Sequence, residues 1–165
     1  MDKIDYDYND FFINVSDDFK DLVSTVDEMV RQASFINIKV TSSKTDPFKV
    51  AYSQPKTRRG IVNFYLRKRS FKMAVFAKNC SKYPSVINGL PAGMVNKLDK
   101  ASNCQHLLNP GSCMEKCSGY DFYIGEKHYQ KCRFGSFQFD VDAESVPFLL
   151  KMLESELAER GAESV

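Results

Sequence analysis

Four cysteines in one short stretch, Cys104, Cys113, Cys117 and Cys132, form the densest group of reactive side chains in the sequence, spaced C-x8-C-x3-C-x14-C. Four thiolates complete a closed tetrahedral zinc shell, because Zn²⁺ asks for four donors and imposes little further geometry. The same four can instead pair as two disulfides, in any of three connectivities. They can also stay reduced and serve redox chemistry. Lys116, Lys127, Lys131 and Arg133 lie close in sequence, and nearby positive charge lowers a thiol pKa. His106 and His128 are the only histidines. Either can replace one thiolate, although neither has finger-type spacing and an ordinary surface or hairpin role suits both better. Cys80 stands outside the group, directly after an apolar stretch, and reads as a small buried hydrophobe.

Compartment decides among these chemistries. The opening MDKIDYDYND is acidic and has no apolar h-region, so it does not read as a secretory signal. No apolar run approaches the ~20 residues of a membrane span. A cytoplasmic protein without membrane attachment is expected, and there thiols are kept reduced. That favours zinc on Cys104, Cys113, Cys117 and Cys132 as a structural clip, with a thiol-dependent redox protein as the alternative. Phosphate-loop, dinucleotide, zincin and nucleophile-elbow motifs are missing from the sequence. A binding or structural module is therefore expected rather than an enzyme.

Charge offers a second candidate. The net charge of +2 conceals an uneven distribution. Residues 1–30 carry nine acids against two bases, residues 49–82 carry ten bases and no acid, and the tail from Asp140 is acidic again. Arg58, Arg59, Arg67, Lys68, Arg69 and Lys72 are the candidate contacts for nucleic acid or phosphate. The competing reading is a basic middle neutralised by the chain's own ends. Aromatic rings interleave with these cations as in single-strand binders. Strand alternation, however, turns Phe64 and Leu66 inward and leaves Tyr65 and Arg67 outside.

These residues need a frame, and 165 residues make about one domain with a core of its own. The N-terminal acidic stretch, 1–15, reads as loosely ordered. Phe19, Leu22, Val23, Val26, Met29 and Val30 recur at helical spacing over 16–31, behind Ser16 as N-cap. Strands are expected at 35–41, 48–53, 61–67 and 71–77, the last two joined as a hairpin. A helix over 91–102 leads into a turn-rich loop, 103–119, then a hairpin across Gly125-Glu126 and a strand at 136–141. The four-cysteine loop and its hairpin occupy 103–133. A last helix, 143–160, starts at Asp142 or Ser145, with Pro147 in its first turn. The sum is one α+β domain, an antiparallel sheet flanked by helices.

The runs FYLRKRSFKMAVF and LPAGMVNKLDKASNC, with the cysteine block that continues SGYDFYIGEKHYQKCR, resemble a family of small uncharacterised bacterial proteins frequent in Firmicutes. The resemblance spans roughly residues 48–160. It aligns the four cysteines, Gly119, Tyr120, Tyr129, Lys131 and Arg133 with the family's positions, and departs at Arg67-Lys68-Arg69-Ser70, where the family has R-K-K-G. It implies a bacterial cytosolic protein and brings no activity.

Overall fold

A computed structural model of the chain describes residues 5–33 and 36–163. Its frame is a five-stranded antiparallel sheet in the order β1-β2-β3-β4-β7, built from β1 (Asn37–Thr41), β2 (Phe48–Ser53), β3 (Gly60–Leu66), β4 (Phe71–Val75) and β7 (Gln138–Asp140). Residue 35, the expected start of β1, lies outside the described residues. Strands β5 (Tyr120–Ile124) and β6 (Lys127–Lys131) form a separate two-stranded sheet. This corrects the expectation of a single antiparallel sheet running over residues 35–77 and 120–141. Only β7 returns to it, on the free edge of β4.

Side-chain alternation gives the main sheet two unlike faces. Val50, Tyr52, Val62, Phe64, Met73 and Val75 share one face, and all are buried. Phe64 is inside, as strand alternation requires, and Phe139 of β7 is buried with it. Helices α1 (Tyr8–Asn14), α2 (Asp17–Ala33) and α6 (Val146–Glu163) supply Phe11, Val23, Val26, Leu149 and Leu153 to the same core. The opposite face carries Lys39, Ala51, Asn63, Tyr65, Ala74 and Gln138 in register.

Helix α1 replaces the loose N-terminus expected from its charge. Asp7 and Asp10 each accept from the other's backbone N–H, at 2.9 and 2.8 Å, which closes a capping box. At the start of α6 both candidate caps take part. Ser145 N–H donates to Asp142 Oδ1 at 2.7 Å, and Asp142 N–H donates to Ser145 Oγ at 3.0 Å.

After β4 the chain makes a 3-10 turn (Cys80–Lys82) and helices α3 (Pro84–Asn88), α4 (Ala92–Lys100) and α5 (Gln105–Leu108). The end of α4 is fastened to the β5–β6 hairpin by polar contacts. Lys131 Nζ donates to Ala101 O at 2.8 Å and Asp99 O at 3.3 Å, where a cation suits unsatisfied helix carbonyls. Asp99 accepts from Tyr129 at 2.6 Å and Lys127 at 2.7 Å. These bonds, that from Lys127 foremost, hold the Asp99 carboxyl below the usual carboxylate range. A lowered carboxylate stabilises the fold above its ordinary pKa and loses that contribution as pH falls through the folded value. The hairpin should therefore loosen below about pH 4. Asp99→Asn should show faster amide exchange in β6 at neutral pH and lose the acid-side change. Identical exchange profiles for variant and wild type would remove the clamp.

Candidate functional site

Three walls meet above the polar face of the main sheet. The sheet contributes Lys39, Ala51 and Asn63, the β2–β3 turn contributes Thr57, Arg58 and Arg59, and the third wall comes from the cysteine segment and the chain after β6. That last wall brings Lys116, Ser118, Gly119, Arg133 and Phe134. Between them lies a cavity of about 740 Å³ with Tyr120 and Arg160 also in its lining. Neither an acid nor a histidine lines it.

The cations divide into two groups. Lys39, Arg58, Arg59, Lys116 and Arg133 form no ion pair among the described residues. Arg133 sits 4.8 Å from the ring centroid of the exposed Phe134, and its Nε is buried without a hydrogen-bond partner among the described residues. Lys78 and Arg160 are compensated inside the fold. Lys78 faces Glu163 at 3.5 Å, a pair that is partly exposed and screened. Arg160 donates from Nε to Glu156 at 2.9 Å and from its terminal nitrogen to Phe76 O at 2.8 Å.

Behind Arg160, Glu156 is completely buried. Its carboxylate also accepts from Tyr83 Oη at 2.8 Å, Asn79 N at 3.0 Å and Asn79 Nδ2 at 3.2 Å. Burial, reinforced by the Glu156 charge, raises the Tyr83 hydroxyl far above its ordinary range. The Cys80 thiol is pushed up to about 12 by burial and then by Glu156. Cys80 therefore stays protonated and acts as the buried hydrophobe its position indicates.

Arg58 holds φ at +54°, the one non-glycine residue with positive φ among the described residues. The turn requires it: Arg58 N–H donates to Gln54 O at 2.8 Å and Gln54 N–H to Arg59 O at 2.9 Å, closing the loop before β3. An L-residue in this region costs roughly 1–2 kcal/mol.

The six basic residues expected to act together separate. Arg58 and Arg59 precede β3 and line the cavity, whereas Arg67, Lys68 and Arg69 follow it, roughly 20 Å away at strand rise. Arg67 pairs with Asp46 and Lys72 with Asp140, while Lys68 and Arg69 are exposed in the β3–β4 turn. Tyr65 does sit outward, with Lys49 at 5.3 Å and Arg67 at 5.9 Å from its ring. Lys39 and Arg160 were missed as site residues. Alternation along β1 placed Lys39 on a polar face without showing what faced it, and Glu156–Arg160 at i,i+4 spacing looks like any surface pair.

No disulfide joins the four cysteines. Cys117 is buried and Cys113 exposed. Burial raises the Cys117 thiol, against the opposing charge of Arg133, and the neighbouring Cys113 and Cys132 thiols add to the rise. Cys104 is packed against Gly119: a Cβ there would lie 2.4 Å from Cys104 Sγ, 2.6 Å from its Cβ and 2.7 Å from Lys131 O. Among the described residues no group of three or more His, Cys, Asp or Glu is arranged to hold a metal ion. Of the histidines, His106 is half-buried in α5, and His128 stacks on Tyr123 at 4.5 Å and meets Asp121.

Hydrogen bonds tie α4 to the hairpin. Besides the Lys131 and Asp99 contacts, Cys104 N–H donates to Gln130 O at 2.9 Å and Cys132 N–H to Ser102 O at 2.8 Å. Gly119→Ala should overpack this junction and cost about 1–3 kcal/mol. Urea unfolding measures it, and a neutral Gly119→Ala would show that Cys104 and the Lys131 backbone can give way.

No helix among the described residues is long and apolar enough to cross a membrane. Compared with protein-family models, with curated proteins and with solved structures, the chain matches none.

Proposed function

We propose that this chain is a binding module for phosphate-bearing anions and acts through the cavity between the main sheet and the cysteine segment. One observation carries the reading: seven cationic side chains line a single concavity that no acid lines, and five of them have no carboxylate partner among the described residues. Charge collected inside a concavity with low-dielectric walls focuses its field on whatever anion enters. The self-neutralised alternative describes the far end of the sheet, where Asp46 and Asp140 meet Arg67 and Lys72. In the cavity it accounts for Lys78 and Arg160, which face Glu163 and Glu156, and leaves the other five cations without a carboxylate partner among the described residues.

Retention on heparin, followed by elution on a salt gradient, tests this reading. Arg58→Gly combined with Arg59→Gln should elute at clearly lower salt. Arg58→Gly also relieves the positive φ, so the variant should melt no lower than wild type. The far-end control, Lys68→Ser with Arg69→Ser, should move elution less. Absence of retention by the wild-type protein at low salt ends the proposal, and equal effects from both ends move the site to the open sheet face.

A second reading concerns the cysteines. Cys104 and Cys132 flank one junction, Cys104 N–H donating to Gln130 O at 2.9 Å and Cys132 N–H to Ser102 O at 2.8 Å, which supports a shared role for the cysteines in ordering the wall that carries Lys116 and Arg133. Zinc on Cys104, Cys113, Cys117 and Cys132, or a thiol–disulfide couple among them, would supply that role. Metal analysis of protein purified without a histidine tag, with thiol titration before and after chelator, separates the two. Zinc-bound thiols appear only on chelation, and a redox pair responds to reductant.

A further inference from the structure

The cavity's size and charge together select a narrower ligand than phosphate-bearing anions in general. Resting on the reading above, we propose that the ligand is a compact linear polyphosphate, either free or as the phosphate chain of a nucleotide. Volume is the first argument. About 740 Å³ falls among pockets that enclose small molecules, roughly 300–1,000 Å³. Walls rise on three sides, from the sheet, the β2–β3 turn and the cysteine segment. A polynucleotide needs a track that continues at both ends. Beyond the cavity the same sheet face presents Arg67 and Lys72, both already paired with acids, and Lys49, which lies over the Tyr65 ring at 5.3 Å.

Charge density is the second argument. Lys39, Arg58, Arg59, Lys116 and Arg133 supply five positive charges that the described residues do not compensate. Treated as a sphere, the cavity is roughly 11 Å across, and a nucleic-acid strand with one charge per ~3.4 Å passes about three phosphates through it. A tri- or tetraphosphate chain places four or five negative charges in the same space, without room spent on intervening sugars. Guanidinium groups suit this ligand, since their planar forks take two phosphate oxygens at once. Three of the five cations are arginines.

The rim adds a source-dependent element. Phe134 is 61% exposed beside Arg133 and presents a ring face on which a planar base can stack.

Calorimetry on the full chain in low-salt buffer tests the proposal, with inorganic phosphate, tripolyphosphate, ATP and a twenty-residue oligothymidylate as probes. Tripolyphosphate should bind at least about 100-fold tighter than inorganic phosphate, and Arg58→Gly and Lys116→Ser should each weaken it about 10-fold, since each removes one close charge contact. ATP tighter than tripolyphosphate, with the difference lost in Phe134→Ala, assigns the ligand to nucleotides. Equal affinity assigns it to the bare chain. Tripolyphosphate binding that neither Arg58→Gly nor Lys116→Ser weakens places the ligand elsewhere and overturns the inference. Oligothymidylate binding that excess tripolyphosphate does not displace also overturns it, while leaving the anion-binding reading standing. If no probe binds at low salt, both fail.

Discussion

Replacing Glu156 by alanine is expected to cost about 3–5 kcal/mol of folding free energy. The carboxylate has no exposure, and four donor atoms converge on it: Arg160 Nε, Tyr83 Oη, Asn79 N and Asn79 Nδ2. Removing it strands the nearly buried Arg160 cation in a low-dielectric setting, and unpaired buried charge is among the most costly defects a fold can carry. Glu156→Gln keeps shape and part of the hydrogen bonding but still removes the compensating charge, so it should fall between wild type and alanine. Glu156→Leu with Arg160→Met should recover much of the loss, because a matched apolar pair needs no compensation. Urea unfolding gives the values. A loss under about 1 kcal/mol for Glu156→Ala would mean that Arg160 reaches water when its partner is gone. Arg160 also lines the cavity, so the double variant, if stable, reports how far this arginine contributes to anion affinity.

Phe11→Ala is expected to have a comparable effect, about 3–5 kcal/mol. Phe11 is fully buried, and its ring centroid lies 6.0 Å from that of Phe64 and 6.5 Å from that of Phe71. Helix α1 is only two turns long and has no independent stability at that length. Its order comes from this ring and from the Asp7–Asp10 capping box. Truncation should therefore leave a cavity against the sheet and also release α1. Phe11→Leu, which keeps most of the volume, should cost less than about 1.5 kcal/mol. A Phe11→Ala variant within 1 kcal/mol of wild type, by the same unfolding measurement, would place α1 outside the cooperative core.

The legible parts of this fold are those where one local pattern has one physical solution. Leu22, Val23, Val26 and Val30 recur every three or four residues, and only a helix puts them on one side. Val62 and Phe64 alternate with Asn63 and Tyr65, and only a strand separates them. Gly125 at φ +58° in the β5–β6 turn is local in the same sense. Helix α1 was hidden because its acidic composition masked a single decisive aromatic, and composition weighs charge without knowing where Phe11 lands. The β5–β6 hairpin is legible as a hairpin but its separation from the main sheet is not, because the pairing partner of a strand edge is not encoded next to it.

The candidate site divides along the same line. By itself the sequence determined the chemical inventory: a basic stretch over 49–82, four thiols over 104–132, and an outward Tyr65. Tertiary structure decided which of these meet. It sent Arg58 and Arg59 to one end of β3 and Arg67–Arg69 to the other. It drew Lys39, Lys116, Arg133 and Arg160 from four distant positions around one hollow. It also assigned the tie between α4 and the hairpin to Asp99, Tyr129 and Lys131. The physical reason is range. Helix and strand periodicity act over a few residues, whereas charge and concavity depend on through-space distances that only the packed chain defines.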